Sequence, residues 1–260
     1  MIFLLILMLA TANSAQWLNS TKFADILERL EVDGCLVVYD ENNDRYFYHN
    51  LERAQQSFLP ASTFKILNSM IALETGAIET DSTIIPWDGV ERPFAAWNRD
   101  HTLASALDVS AVWAYQELAR RIGAERMHHW VQQAAYGNTD IGGGIDTFWL
   151  EGDIRITALQ QIDFLRRFYH QELPFSQQTQ AAVKRIMIRE QTDTYTLRHK
   201  TGWAMRVQPQ VGWFVAILEE NGNVYYAVSN IAIEKNHDAR AREASVRQAF
   251  KAMGLMRREE

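Results

Sequence analysis

Two short β-like runs open the readable pattern. Residues 35–39 and 45–48 are rich in branched and aromatic side chains, and the polar turn Asp40-Glu41-Asn42-Asn43-Asp44 joins them. After Pro60 the period becomes helical. Phe64, Ile66, Leu67, Met70, Ile71 and Leu73 predict one helix running to Gly76, with Pro60 tolerated in its first turn. The middle of the chain stays helical. Val112, Tyr115, Ala119 and Ile122 form one stripe closed by Gly123, and Met127, Trp130, Val131 and Ala134 form another. Thr157-Ala158-Leu159-Gln160 has the capping-box pattern and predicts a helix through Ile162, Leu165 and Phe168 to Tyr169. Strand signals return at 195–200, 211–218 and 224–230, the last two separated by Glu219-Glu220-Asn221-Gly222-Asn223. A helix from about Arg240 to Met253 ends at Gly254. Strands, then helices, then strands predict an α+β fold with an antiparallel sheet flanked by helices and a mostly helical lobe. The expected division is residues 16–60 with 176–260 as the sheet lobe and 61–175 as the helical lobe, with a cleft between them.

Residues 2–10 are continuously apolar and are followed by Thr11-Ala12-Asn13-Ser14-Ala15. That pattern predicts a secretory signal peptide over residues 1–15, although no Lys or Arg precedes the apolar run. The run is too short for a bilayer, which takes about 20 apolar residues. The expectation is therefore export to the periplasm, with no membrane partner once the signal is removed. Across all 260 residues, 47% are apolar and 22% charged, an ordinary globular profile, and 8 Trp, 9 Tyr and 12 Phe supply a large core without disulfides. A net charge of −6 with no basic block argues against nucleic acid as a partner. Cys35, the single cysteine, sits in an apolar strand pattern and reads as a packed, inert thiol. His128 and His129 are adjacent, so they face different sides of a helix, and no metal site is expected.

Candidate chemistry begins with Ser62-Thr63-Phe64-Lys65. Positions i and i+3 share a helix face, so the Lys65 amine can meet the Ser62 hydroxyl, which needs an adjacent base to become a nucleophile. The motif alone is weak, since composition would produce it about once in such a chain. Ser110-Ala111-Val112, Tyr136-Gly137-Asn138 and Lys200-Thr201-Gly202 follow, each occurring once and in this order. Taken singly, each has a plain structural reading: a helix cap, a turn, a solvated charge. Together with Pro60-Ala61-Ser62-Thr63-Phe64-Lys65, Phe148-Trp149-Leu150-Glu151-Gly152, Lys200-Thr201-Gly202-Trp203 and Gly212-Trp213-Phe214-Val215, they make the chain resemble the class D β-lactamases, or oxacillinases. These belong to the penicillin-recognising serine transferase superfamily, and the match extends from about Gly34 to Met253.

The resemblance implies specific roles. Ser62 is the expected acylated nucleophile. Lys65 is expected to carry CO2 as an N-carbamate and to act as general base, with no separate cofactor. Burial supports this chemistry, because desolvation disfavours an ammonium ion and frees a neutral amine to capture CO2. Trp149 is expected to donate its indole N–H to the carbamate, and Val112 to cover it. Ser110 is expected to relay a proton to the lactam nitrogen, and Lys200 is counted with it among the catalytic residues. The backbone N–H groups of Ser62 and Trp203 form the expected oxyanion hole. Lys200, Thr201 and an arginine on the last helix are expected to hold the substrate carboxylate, with Gly202 a substrate-binding position where a small residue lets the substrate lie along the strand edge. Arg242 is the choice for that arginine, with Arg240 as the alternative. Trp97, Leu150 and Arg206 join the substrate-contacting set. The segments around Phe94 to His101 and Trp203 to Pro209 resemble the branch containing carbapenem-hydrolysing enzymes, in which Arg206 would pair with Glu151. Hydrolysis of a small-molecule β-lactam by a monomer or homodimer, giving antibiotic resistance, is the expected function. A β-lactam sensor that stays acylated, or a D,D-peptidase, would share Ser-x-x-Lys and Lys-Thr-Gly and are the competing readings.

Overall fold

The structure, a computed structural model, describes residues 15–256; the segment carrying the expected signal peptide lies almost wholly outside the described residues. Strand β1 (Gln16–Asn19) leads to Ser20, whose hydroxyl caps helix α1 (Thr21–Arg29), and then to the hairpin β2 (Gly34–Asp40) and β3 (Arg45–His49). Helix α2 (Leu51–Gln55) and a 3-10 turn (Ala61–Phe64) precede α3 (Lys65–Glu74). The minor hairpin β4 (Ile84–Ile85) and β5 (His101–Thr102) is followed by α4 (Leu103–Asp108), α5 (Val112–Ile122), α6 (Ala124–Gln133), α7 (Ala158–Tyr169) and α8 (Gln177–Ile186). The chain returns through β6 (Ile188–Gln191), β7 (Tyr195–Ala204), β8 (Val211–Glu220) and β9 (Asn223–Ala232) to α9 (Ala241–Ala252).

The main sheet has the order β1-β3-β2-β9-β8-β7-β6. Its pairs are antiparallel except for β1, which runs parallel to β3. The sheet is therefore mixed rather than wholly antiparallel, a correction to the sequence expectation. β1 is a four-residue edge strand with three exposed positions, so it carries no alternation to read. The α+β class holds. Asn221 and Gly222 turn β8 into β9 with φ of 52° and 72°, the left-handed pair that a two-residue hairpin needs.

Helices cover both faces of the sheet. Leu36, Val38, Phe214, Ala216 and Leu218 meet Phe23, Ile26, Val246 and Phe250 from α1 and α9 on one face. Cys35, Val37, Val215, Ile217 and Val228 meet the large cluster of α3, α5 and α7 on the other. Two covered faces explain why β8 reads as an unbroken apolar run. Cys35 is 0% exposed and burial pushes its thiol up to about 12, so it is inert. Helix α3 is the core of the helical side, with every residue from Lys65 to Ala72 buried.

Three local predictions hold with small changes. Helix α7 has both halves of its capping box, with Gln160 N–H donating to Thr157 Oγ1 and Thr157 N–H to Gln160 Oε1, each at 3.0 Å. Helix α5 ends at Gly123, φ 80°. The helix expected from Pro60 to Gly76 is instead a 3-10 turn followed by α3, with Gly76 at φ 67° just beyond it. Ala61, the first residue of the 3-10 turn, is fully buried at φ 47°, a left-handed conformation that costs of order 1–3 kcal/mol for a non-glycine residue.

Candidate active site

Ser62 lies on the 3-10 turn, and three contacts hold that turn. Thr63 donates from its N–H (3.2 Å) and its hydroxyl (2.8 Å) to the Pro60 carbonyl, and Gln161 Nε2 donates to Thr63 Oγ1 at 2.9 Å. In a 3-10 helix residues three apart nearly eclipse, and Lys65 Nζ stands 2.7 Å from Ser62 Oγ in a hydrogen bond. Lys65 is 0% exposed. Burial first, then the charges of Lys200 and Arg206, hold its pKa well below that of a free lysine, so the amine is available in its neutral form. The Tyr115 ring lies 5.4 Å from the amine, and Tyr115 Oη is paired with Ser69 Oγ at 2.8 Å.

Trp149 is 0% exposed, stacked on Phe64 at 5.5 Å and edge-on to Phe148 at 5.0 Å. Its indole N–H is buried and meets no acceptor among the described residues. A buried tryptophan donor without a partner is uncommon, and it fits a carboxylate-like group added beside it.

The second chain segment at the site is the turn between α4 and α5. Ser110 sits there at φ 57°, and its hydroxyl accepts a hydrogen bond from Lys200 Nζ at 3.0 Å. Lys200 also donates to the Thr201 carbonyl at 3.1 Å. It is 3% exposed, and burial, then the guanidinium groups of Arg189 and Arg242, bring its pKa down to about 7. Such a group exchanges protons near neutral pH, as a relay requires.

A cavity of about 430 Å³ is lined by Ser62, Ser110, Val112, Thr201, Gly202, Trp203 and Arg242. Glycine at 202 reflects a close approach: a Cβ there would lie 2.9 Å from the Pro60 carbonyl oxygen and 3.2 Å from Thr63 Cγ2. Arg242 donates through Nε to Ala239 O and through Nη1 to Gly202 O, both at 2.6 Å, and its guanidinium lies 5.7 Å from the Trp203 ring centre. Arg240 is exposed and is not among the lining residues. Arg206 Nη1 meets Glu151 Oε1 at 3.0 Å on the rim, where both side chains are about 40% exposed. Trp97 and Leu150 line the cavity too, and the Trp97 indole donates to Val109 O at 2.9 Å.

Tyr136-Gly137-Asn138 stands apart from the cavity lining and pins a loop. Asn138 bonds Asp153 O and the Arg155 N–H through its side chain, each at 2.9 Å, while a Cβ on Gly137 would strike Arg155 O at 2.0 Å. The loop so anchored carries Trp149 and Glu151. Arg92, Phe94, Gln116 and Met205 line the cavity without having been expected there. Gln116 lies four residues after Val112 on α5, so the helical period could have found it; the others come from irregular segments with no period to follow. His128 and His129 are exposed, and no cluster of three or more metal-ligating side chains occurs among the described residues.

Comparison with known proteins agrees with this geometry. The family model described as the penicillin binding protein transpeptidase domain matches residues 34–252. The chain is 40% identical over 240 residues to β-lactamase OXA-48 of Klebsiella pneumoniae, spanning 92% of this chain and 91% of that one. It is 42% identical over 222 residues to the probable β-lactamase YbxI of Bacillus subtilis, spanning 85% and 83%. The solved structure of the class D β-lactamase YbXI from Nostoc superposes with a TM-score of 0.88 at 50% identity, covering 90% of this chain and 99% of that chain. That of FUS-1 (OXA-85), a class D β-lactamase from Fusobacterium nucleatum subsp. polymorphum, gives 0.89 at 38% identity, covering 92% and 100%. With Ser62, Ser110, Thr201 and Gly202 lining one cavity, with Lys65 bonded to Ser62 and Lys200 to Ser110, and with these relatives over nearly its whole length, the chain belongs to the class D β-lactamase family.

Proposed function

We propose that the protein hydrolyses β-lactam antibiotics through an acyl-enzyme on Ser62, and that Lys65 works in a carbamylated form. The observation that carries this reading is the fully buried Lys65 amine, 2.7 Å from Ser62 Oγ, and the buried Trp149 N–H, packed against Phe64, supports it because it meets no acceptor among the described residues. When bound to the Lys65 nitrogen, CO2 supplies a carboxylate-like base, and Lys65 and Trp149 are the residues that would hold it. Val112 contributes apolar surface to the cavity lining.

The remaining steps use this chain's own groups. Ser62 Oγ loses its proton on the Lys65 side as it bonds to the lactam carbonyl carbon. The backbone N–H groups of Ser62 and Trp203 donate to the oxygen that becomes negative. As the C–N bond of the ring breaks, Ser110 passes a proton to the leaving nitrogen and is reprotonated from Lys200, 3.0 Å away. Water then adds to the ester carbon and Ser62 regains its proton, releasing a ring-opened acid. Lys200, Thr201 and Arg242 bind the substrate carboxylate; the hydrogen bonds holding Arg242 to Ala239 O and Gly202 O support that placement. The same reading makes the protein an exported resistance enzyme. Among the described residues no helix is long and apolar enough to cross a membrane.

The test is nitrocefin hydrolysis with and without bicarbonate, beside Lys65→Ala. The expected result is steady turnover that rises with bicarbonate and is lost in the variant. One stoichiometric burst without turnover would instead identify a stably acylated sensor. Carbapenem hydrolysis, which the Arg206–Glu151 pair at 3.0 Å supports, requires single-turnover deacylation of a carbapenem, and its absence refutes that part alone.

A further inference from the structure

The sheet edge next to Lys200 carries a feature that the steps above do not use. The β6–β7 ladder pairs Ile188 with Arg198 and Glu190 with Leu197, so Arg189 is the extra residue of a β-bulge. Bulges re-aim side chains out of the ladder. Arg189 leaves the edge and is clamped by the end of α8 and by its own strand, with Nη1 donating to Ile186 O at 2.8 Å and to Ile188 O at 3.0 Å. Its Nε then meets Asp108 Oδ1 at 3.3 Å. Asp108 is the last residue of α4, two before Ser110. A carboxylate at a helix C-terminus opposes the helix dipole, so a cation there offsets an unfavourable placement. The contacts close a ring: β6 to Arg189, Asp108, the Ser110 turn, Lys200, β7, and back to β6.

We infer that Arg189 and Asp108 are positioning residues for the Ser110–Lys200 pair, tying the Ser110 turn to the sheet edge and setting the charge that Lys200 feels. The inference rests on the roles proposed above for Ser110 and Lys200. The charged groups facing Lys200 are Arg189 from β6, Arg242 from α9, Asp108 from α4 and Lys65 from α3. Its neighbour His199 lies against Phe214 at 4.6 Å and burial brings it down to about 3, so it is neutral in the working range. The two guanidinium groups disfavour the Lys200 ammonium and Asp108 favours it. The protonated form is the one that binds a carboxylate and feeds the relay, so the alkaline limb of kcat/KM reports Lys200.

The experiment follows nitrocefin kcat/KM from about pH 6 to about pH 10 at saturating bicarbonate. Arg189→Gln removes a positive charge and is expected to move the alkaline limb up by roughly half a unit to one unit; Asp108→Asn is expected to move it down by a similar amount. Arg189→Lys keeps the charge and is expected to leave the limb near its wild-type position. A limb unmoved in both Arg189→Gln and Asp108→Asn, or moved the same way in both, overturns the inference, because a purely structural strut would not produce opposite shifts. Lys200→Arg separates the two levels. If the limb survives in Lys200→Arg, the role of Lys200 itself falls and the inference with it. If the limb is lost there but does not respond to Arg189→Gln, only the inference falls.

Discussion

Replacing Gly202 by alanine should damage catalysis without touching a reacting group. The added methyl would lie 2.9 Å from Pro60 O, 3.2 Å from Thr63 Cγ2 and 3.3 Å from Trp213 Cβ. None of the three can move aside freely. Pro60 O accepts from both the N–H and the hydroxyl of Thr63, and the Trp213 indole is fixed by donating to Leu59 O at 2.8 Å. Strand β7 and the Ser62 turn must therefore separate by a few tenths of an ångström. Overpacking of this kind costs about 1–3 kcal/mol. At roughly 2–4 °C per kcal/mol for a chain of this size, the melting temperature should fall by about 2–12 °C. The larger effect is on kcat, because the Ser62 and Trp203 N–H groups lie on the two parts being pushed apart. Losing one oxyanion donor costs about 100- to 1000-fold, so a partial misplacement should cost about 10- to 100-fold. Steady-state nitrocefin kinetics on the purified variant, with a thermal melt as control, measure both. A kcat within about twofold of wild type would refute the proposed pairing of these two donors.

Gly212→Ala should give the contrasting result. Its methyl would meet Arg242 Cδ at 2.6 Å and Cγ at 2.8 Å, displacing the arginine proposed to bind the carboxylate, so KM should rise about tenfold while kcat stays within about threefold; a change confined to kcat would count against that role for Arg242. Trp149→Phe removes the buried N–H that meets no acceptor among the described residues, and the bicarbonate concentration for half-maximal turnover should rise at least about tenfold, the worth of one charge-assisted hydrogen bond. An unchanged bicarbonate titration would remove Trp149 from the carbamate site. His199 has its folded pKa lowered to about 3 from 6.5, so the unfolded chain binds the extra proton in that window, and the associated stability is present above 6.5 and lost as pH falls toward 3. Urea midpoints at about pH 7 and about pH 4.5 should therefore differ more in wild type than in His199→Phe, and equal differences would show that His199 does not titrate this way.

Elements with a complete local signal were readable in the chain. Thr157 and Gln160 cap each other across three residues, Gly123 closes α5, and Asn221-Gly222 turns β8 into β9, so each carries its own instruction. Ser20 with Phe23, Ile26 and Leu27 is a local signal of the same kind for α1, which the sequence expectations leave out. Elements whose identity depends on a partner were not readable. β1 exists because β3 accepts it in parallel, and the bulge at Arg189 exists only against β7. The Ser62 helix start was misplaced for a related reason. Pro60 and the apolar spacing look helical, but the approach of Gly202 to Pro60 O shapes the turn, and Ala61 takes the left-handed conformation there.

The sequence alone determined the residue kinds and their order: one Ser-x-x-Lys, one Ser-x-Val and one Lys-Thr-Gly, on segments whose periodicity marks them as helix, helix start and strand. It thereby determined the family and an α+β fold. Tertiary structure alone decided that Ser110 and Lys200, 90 positions apart, come within 3.0 Å, that Arg242 rather than Arg240 lines the cavity, and that Lys65 is wholly enclosed. The physical reason is that local propensity acts over a few residues, whereas strand register and loop closure decide which distant groups meet. A lysine's charge state follows from that enclosure, since desolvation is a property of the surroundings and not of the residue.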